Sequence, residues 1–226
     1  MVDPGDPAPV IEQLKKLNLK LDSILITHHH NDHIGGVDEL STRYGAAVYA
    51  PAKESYHFAH IAVAEGDHVK LKSIGCEFSV LEVPGHTLGH VAYYCRPWLF
   101  CGDTLFSCGC GRLFEGTAAQ LYDSLQRLAS LPPETRVYCT HEYTLRNVAF
   151  ALELEPKNTA LQKRLEQVQM LKSNNRPSLP STIELELETN PFLRCHTGAI
   201  IQASKAAWNA TPEDVFTIIR KMRNLY

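Results

Sequence analysis

The stretch Thr27-His28-His29-His30-Asn31-Asp32-His33 concentrates four histidines and a carboxylate within seven residues. It follows the apolar, β-branched run 21–26, whose composition predicts a buried strand. Side chains two apart on an extended backbone share a face, so His28 and His30 can approach the same ion. The stretch therefore predicts a metal site at the point where a strand ends.

Two further donors in this stretch are directed at a second ion. A turn toward a helix after the glycine pair at 35–36 makes Asp32 and His33 adjacent ligands aimed at a point a few ångströms away. Imidazole and carboxylate together suit zinc, iron or manganese. The sequence predicts two divalent ions and favours zinc, with iron and manganese as open alternatives.

Three later apolar runs, at 78–83, 98–101 and 136–139, each lead into another candidate ligand. The ends of several strands commonly build a site on one rim of an α/β scaffold. The set contains no thiolate, whereas structural zinc sites are usually closed and rich in cysteine. Seven ligands are predicted: His28, His30 and His86 for one ion, Asp32, His33 and His141 for the other, and Asp103 bridging both.

The motif T-H-x-H-x-D-H resembles the metallo-β-lactamase superfamily when it is taken together with P-G-H-T at 84–87, C-G-D-T-L-F at 101–106 and C-T-H-E-Y-T at 139–144. Within that superfamily, G-C-G-R-L-F-E-G-T at 109–117 and N-P-F-L-R at 190–194 are similar to glyoxalase II, the hydroxyacylglutathione hydrolases. The resemblance runs from Val2 to the C-terminus. It implies an α/β fold, an αββα sandwich carrying the metals, followed by an α-helical domain.

The sequence pattern predicts two domains. Short apolar strands alternate with helical stretches up to about residue 144, and the charged run 147–171 then carries leucines at helical spacing. We therefore expect a catalytic, metal-binding domain at 1–144 and a helical, glutathione-binding domain at 145–226. A short helix is also expected at 54–60.

The resemblance implies a thioester hydrolase that converts S-(2-hydroxyacyl)glutathione, principally S-D-lactoylglutathione, to glutathione and a 2-hydroxy acid, D-lactate. This reaction is the second step of methylglyoxal detoxification. The expected nucleophile is hydroxide held between the two ions. Asp32 and Asp103 are the predicted catalytic residues, because they hold the ions and help to place the proton.

The resemblance also implies a set of substrate contacts, which are Arg112, Leu113, Phe114, Glu142, Tyr143, Arg220 and Arg223. Arg220 and Arg223 are three apart, so a helix would present both on one face, where they could clamp carboxylates. Two departures from the family pattern stand here: Arg223 where lysine is common, and Asn224 where an acid is usual.

Two other kinds of function stay open at this stage. Another enzyme of the superfamily, such as a persulfide dioxygenase or a lactonase, would share the early motifs. Such an enzyme would not need Arg112, Arg220 and Arg223. A non-catalytic metal-binding protein, inactivated by truncation, is the hypothesis from a different class. A β-lactamase is disfavoured, since Asp103 stands where the best-known branch of those enzymes has cysteine.

Composition narrows the expected partners. The net charge is −3, and no long stripe of lysine and arginine is present, which excludes a nucleic-acid binder. No apolar run approaches membrane-span length, and the first residues lack the pattern of a signal peptide. The seven irregularly spaced cysteines are typical of reduced thiols in the cytoplasm. We expect a cytoplasmic monomer that acts on a small glutathione thioester.

The start of the chain departs from the family pattern. Family members have two more strands before the V-D-P-G segment, whereas only Met1 and Val2 precede Asp3 here. A sheet without its first strands would expose unpaired backbone groups at an edge. We therefore expect the native protein to be longer at its N-terminus.

Overall fold

The structure is a computed structural model that describes residues 1–226. The chain divides into two compact units. The first unit is Met1–Glu82 with Thr87–Cys95, and the second is Val83–His86 with Arg96–Tyr226. The boundary predicted at residue 144 falls within the second unit and stays a prediction. No helix of the protein combines the length and the apolar character needed to cross a membrane.

The first unit contains six strands and three α-helices. Its elements are α1 (Pro7–Lys16), β1 (Ser23–Leu25), α2 (Asn31–Ile34), α3 (Val37–Tyr44), β2 (Ala47–Pro51), β3 (Ile61–Val63), β4 (His68–Leu71), β5 (Cys76–Glu82) and β6 (Val91–Cys95). Strands β1, β2 and β3 pair in parallel, and β4, β5 and β6 pair antiparallel. All three β1 residues are buried, as expected for a strand that is covered on both faces.

The helix expected at 54–60 is wrong, because this segment is irregular. Tyr56 and Phe58, two residues apart, both pack on the core of the first unit. A repeat of two is the period of an extended chain, whereas a helix would need three or four. His57 and His60 therefore project from a loop, where His57 pairs with Asp38 at 2.9 Å.

The second unit begins with strands and continues as helices. Its elements are β7 (Trp98–Gly102), β8 (Leu105–Phe106), β9 (Gly109–Cys110), α4 (Ala118–Ala129), β10 (Arg136–Cys139), α5 (Thr144–Leu154), α6 (Thr159–Ser173), β11 (Ser181–Thr182), α7 (Ile183–Thr189), α8 (Gly198–Ser204) and α9 (Pro212–Leu225). Strand β10 pairs in parallel with β7 and antiparallel with β11, while β8 and β9 form a hairpin. The predicted class, mixed α/β with a helical C-terminal region, is confirmed.

Local sequence explains where the helices of the second unit begin and end. Thr117 and Gln120 form a reciprocal capping box at the start of α4, which buries Leu121, Leu125 and Leu128. The predicted helical run 147–171 is interrupted, since Pro156 disfavours a helical conformation at the residue before it. Asn158 then caps α6 by accepting from two backbone N–H groups.

Candidate metal centre and substrate pocket

In the first unit, the histidine-rich stretch spans the connection from β1 to α2. His30 is the N-cap of α2 and still has extended backbone angles (φ −64°, ψ 143°). His28 lies on the same connection, two residues before His30, and its Nε2 is 3.0 Å from His30 Nδ1. Asp32 and His33 lie in the single turn of α2, where the Asp32 carboxylate is 3.7 Å from Nε2 of His33.

Hydrogen bonding sets the tautomer of His28. The Thr27 hydroxyl donates its only proton to Asp3 Oδ2 at 2.7 Å. It can therefore only accept a hydrogen bond from Nδ1 of His28, which lies 3.0 Å away. His28 Nδ1 consequently carries the proton, and Nε2 presents its lone pair 3.0 Å from His30 Nδ1. His90 stacks on the His28 ring with centroids 4.7 Å apart, which restricts the ring further.

Asp3 supports both parts of the stretch. Its carboxylate accepts from the Thr27 N–H at 2.8 Å and lies 3.1 Å from His33 Nδ1. A carboxylate can only accept here, so the His33 proton is on Nδ1 and the lone pair is on Nε2. Asp3 is buried and has a φ of +45°, a conformation that few residues other than glycine adopt.

Glu54 holds two loops that carry candidate ligands. Its carboxylate lies 3.1 Å from Nδ1 of His29, the residue between His28 and His30. It also accepts a short hydrogen bond from the hydroxyl of Thr87, the residue after His86, and another from Tyr56 at 3.1 Å. The His29 ring also lies edge-on to the His30 ring, with centroids 5.0 Å apart.

The second unit carries the remaining three candidate ligands, in which Asp103 lies between His86 and His141. His86 Nδ1 donates to the Arg112 carbonyl oxygen at 2.8 Å, which leaves its Nε2 unprotonated. That Nε2 lies 3.5 Å from Asp103 Oδ2, and His141 Nε2 lies 3.4 Å from Asp103 Oδ1. Each oxygen of one buried carboxylate therefore faces a different imidazole.

These spacings fit metal ligation. Donor atoms at about 2.1 Å from one ion, separated by a tetrahedral angle, lie roughly 3.4 Å apart. The separations of 3.4 and 3.5 Å around Asp103 match that value and exceed an ordinary N–H···O hydrogen bond. Imidazole nitrogens whose other ring atom is fixed by a hydrogen bond are the usual ligands of divalent metals. The donors are therefore those of a divalent-metal site.

Two glycines allow close backbone packing behind the carboxylate ligands. A Cβ atom on Gly5 would lie 2.0 Å from the carbonyl oxygen of Asp32. A Cβ atom on Gly111 would lie 1.9 Å from the carbonyl oxygen of Asp103. Any side chain at either position would displace the backbone of a candidate ligand.

Comparison with known proteins assigns the family. The model of the metallo-beta-lactamase superfamily matches residues 1–141, and that of the hydroxyacylglutathione hydrolase C-terminus matches residues 142–226. A hydroxyacylglutathione hydrolase of Methylobacillus flagellatus is 58% identical over 224 residues, which are 99% of this chain and 89% of that protein. The chain belongs to the hydroxyacylglutathione hydrolase family. The resemblance stated from the motifs is thereby confirmed.

Solved structures agree with this hydroxyacylglutathione hydrolase fold. ETHE1 from Myxococcus xanthus matches with a TM-score of 0.65 and 28% identity, over 99% of this chain and 87% of that one. TTHA1623, solved in a di-iron-bound form, matches with a TM-score of 0.59 and 29% identity, over 85% and 88% of the two chains. The predicted metallo-β-lactamase fold is confirmed.

Exposed aromatic side chains lie beside two of the candidate ligands. The Tyr143 ring stacks on the His141 ring with centroids 5.0 Å apart, and the Phe114 ring meets His86 edge-on at 5.2 Å. Both are largely exposed for aromatic residues, at 48% and 62%. These apolar surfaces are available to a substrate and suit the role predicted for both residues.

The two arginines predicted on α9 differ in their surroundings. Arg220 is buried, and its guanidinium donates to the carbonyl oxygens of Cys110 and Gly111 at 2.9 and 3.3 Å and to Asn224 at 3.1 Å. It therefore fixes the loop that precedes Arg112. Arg223 is half-buried and donates to Asn147 at 3.1 Å. Asn224, the departure from the family pattern, is thus a neutral acceptor for Arg220.

Glu142 and Leu113 are the other predicted substrate contacts. The Glu142 carboxylate accepts from the backbone and hydroxyl of Ser178 and from the N–H of Leu179, which ties it to the proline-rich connector. Leu113 is half-buried beside the exposed Arg112. Substrate contact by Glu142 and Leu113 stays a prediction.

Sequence reasoning missed three supporting residues: Asp3, Glu54 and Arg146. The V-D-P-G segment was recognised as a motif, but nothing in it shows that its carboxylate reaches His33, 30 residues later. Glu54 was assigned to a helix that does not form. Arg146 lies in the first turn of α5, where only the packing against α9 reveals its neighbours.

Proposed function

We propose that this chain hydrolyses S-(2-hydroxyacyl)glutathione thioesters, with S-D-lactoylglutathione as the principal substrate. The observation that carries the proposal is Asp103, whose two oxygens each face the Nε2 atom of a different histidine. A shared carboxylate between two imidazoles suits a pair of ions better than a single one. The name of the Methylobacillus flagellatus relative supports the substrate class.

The proposed centre contains two divalent ions, and zinc is favoured over iron and manganese. His28, His30 and His86 would hold one ion, Asp32, His33 and His141 the other, and Asp103 both. The tautomers deduced for His28, His33 and His86 support this assignment, because each presents an unprotonated nitrogen. The di-iron form of TTHA1623 supports the number of ions and also keeps iron open.

Ions bound by such donors supply a nucleophile from water near neutral pH and polarise the thioester carbonyl. The residues of the chain hold the reacting groups in position. Asp32 and Asp103 contribute the negative charge that balances the ions, while Tyr143 and Phe114 shield the reacting carbonyl from bulk water. No general acid is needed for the leaving group, since a thiol has a pKa of about 8.5 and departs as the thiolate.

The arginines of the second unit would bind the peptide part of the substrate. Glutathione carries two carboxylates, and guanidinium groups bind carboxylates in a bidentate, planar geometry. Arg112, Arg220 and Arg223 would supply these guanidinium groups, and Arg220 also donates to the carbonyl oxygens of Cys110 and Gly111. Such a cluster is not required for a lactone, so it favours the thioesterase reading over a lactonase.

The deciding experiment follows the loss of thioester absorbance from S-D-lactoylglutathione. Turnover should stop when a chelator is added and return with zinc, iron or manganese. Asp103→Asn should abolish turnover and lower the bound metal from two ions per chain to one or none. Asp123→Asn, an exposed carboxylate on α4, is the matched control and should behave as wild type.

Metal bound without turnover of any acylglutathione would overturn the proposal and favour the non-catalytic alternative. Near-normal activity of Asp103→Asn would contradict the bridging role. The monomeric state and the cytoplasmic location remain predictions. Gel filtration combined with light scattering would test the first of these two.

A further inference from the structure

Four arginines of the second unit form a cluster without carboxylate partners. Their side chains come from the loop after β9 and from helices α5 and α9, and they are Arg112, Arg146, Arg220 and Arg223. Burial lowers the pKa of Arg223 most, and the charges of Arg146, Arg220 and Arg112 lower it further. None of the four forms a salt bridge within the protein. Their mutual repulsion is therefore uncompensated.

Contacts between α5 and α9 bring Arg146 next to Arg223. Arg223 donates to the side-chain oxygen of Asn147, the residue that follows Arg146. The Arg223 guanidinium also lies 5.7 Å from the centre of the Phe150 ring. Phe150 is one helical turn after Arg146, and residues four apart share a helix face. Two independent contacts thus fix Arg223 beside the face of α5 that carries Arg146.

The four arginines differ in how much of their donor capacity is used. Arg220 is buried, and its guanidinium donates to two carbonyl oxygens and to Asn224. Arg223 uses one hydrogen bond, to Asn147. Arg146 and Arg112 are exposed, and neither guanidinium has an acceptor within the protein. Because Arg146 shares a face of α5 with Phe150, against which Arg223 packs, its unused donors can join those of Arg223 in a two-arginine site for one carboxylate.

We propose that Arg146 is a specificity-determining residue that binds, together with Arg223, one carboxylate of the glutathione moiety. The inference rests on the proposed function and adds to it a residue that the resemblance did not supply. A peptide carboxylate fits better than a phosphate polymer, because the chain carries a net charge of −3 and offers a small cluster instead of a stripe.

The test compares Arg146→Gln with Arg146→Lys and with Arg136→Gln. Arg136 is an exposed arginine at the start of β10, outside the cluster, and gives the same change in charge. For S-D-lactoylglutathione, Arg146→Gln should raise KM about tenfold and leave kcat unchanged. This pattern is expected because the lost contact would bind the substrate equally well in the ground state and in the transition state. Arg146→Lys should recover part of the loss, and Arg136→Gln should match wild type.

Substrates with one carboxylate blocked identify the group that is bound. The thioester is prepared with the glycyl carboxylate amidated and, separately, with the γ-glutamyl carboxylate esterified. The KM effect of Arg146→Gln should disappear for one of these substrates and persist for the other. An equal effect on both would overturn the proposal, because it would mean that Arg146 acts through the fold.

Calorimetric binding of glutathione to the metal-loaded protein provides a readout without turnover. Arg146→Gln should weaken this binding about tenfold relative to Arg136→Gln. Equal affinities of the two variants would overturn the inference about Arg146. Absence of turnover by wild type would instead count against the proposed function, and the binding measurement would still decide the role of Arg146.

Discussion

The Nδ1 atom of His33 lies 3.1 Å from Oδ2 of Asp3, and the same oxygen accepts the Thr27 hydroxyl at 2.7 Å. Through Thr27, Asp3 also determines which nitrogen of His28 carries the proton. One buried carboxylate therefore sets the tautomers of two candidate ligands, one proposed for each ion. The left-handed backbone of Asp3, which costs about 1–3 kcal/mol at a residue other than glycine, is consistent with such a functional constraint.

Asp3→Asn should lower the affinity for metal about 10- to 100-fold, the range found when a partner that orients a metal ligand is removed. Asparagine keeps the shape and tolerates the left-handed backbone, but its amide nitrogen cannot accept from either Thr27 or His33. Competition with a chromogenic chelator measures the affinity. Asp38→Asn, an exposed carboxylate of the same unit, is the control. Wild-type affinity in Asp3→Asn would refute the orienting role.

The candidate ligands could be predicted because each follows an apolar run that becomes a strand or leads directly from one. His141 follows β10, for example, which has the bounds that the sequence predicts. Asp3 and Arg146 could not be assigned in this way. Asp3 acts on a residue 30 positions away, and Arg146 has its neighbours only because α9 packs against α5. Periodicity identifies elements, whereas these roles depend on tertiary contacts.

The segment 54–60 is irregular, although the spacing of its histidines predicts a helix. The two histidines three apart at 57 and 60 favoured a helix, but the apolar Tyr56 and Phe58 determine the conformation by packing on the core. Glu54 stands at the start of this irregular segment, where its carboxylate reaches His29 and Thr87. The burial of apolar side chains outweighs the weak local preference of polar ones for a helix.

Gly111→Ala should disrupt the centre without removing any ligand. The new Cβ would lie 1.9 Å from the Asp103 carbonyl oxygen, so the Asp103 backbone must shift. We expect a loss of about 1–3 kcal/mol in unfolding free energy, typical of overpacking, together with weaker metal binding. Thermal unfolding with and without metal measures both effects.

Gly198→Ala is the matched control for that substitution. A Cβ atom on Gly198 would meet no atom within 4 Å, and the residue begins α8. Replacing it should leave metal binding unchanged and stabilise the protein by up to about 1 kcal/mol, because alanine has the better helix propensity. If Gly111→Ala behaved like this control, the close packing behind Asp103 would not constrain the centre.

The cysteines should divide into two reactive and five protected thiols. Cys76 and Cys95 are half-buried, whereas Cys101, Cys108, Cys110, Cys139 and Cys195 are buried. Burial raises the pKa of Cys108 and of Cys139 to about 12, so almost no thiolate forms near pH 8. A chromogenic disulfide reagent should react rapidly with two thiols in the native protein and with seven in denaturant. Rapid reaction of a third native thiol would contradict this assignment.

Glu186 is a buried carboxylate that the proposed reaction does not use. It lies within α7 and accepts from the Cys108 N–H at 2.7 Å, from Asn190 at 2.9 Å and from the Ser181 hydroxyl. Desolvation raises its pKa above the usual value, although these hydrogen bonds and Arg164 oppose the shift. The folded protein therefore binds this proton more tightly than the unfolded chain does.

The sign of the resulting pH dependence follows from linkage. Because the folded pKa is raised, the contribution of Glu186 to the unfolding free energy is greatest below the unfolded pKa of about 4.3 and falls as pH rises through the folded pKa. Glu186→Gln removes this titration and keeps a group that can accept from Cys108 and donate to Ser181. The difference in Tm, variant minus wild type, should therefore increase from pH 5 to pH 8. Glu166→Gln, a change at an exposed residue of α6, should show no such trend. A Tm difference between Glu186→Gln and wild type that stayed constant or decreased with pH would show that Glu186 is already ionised throughout this range.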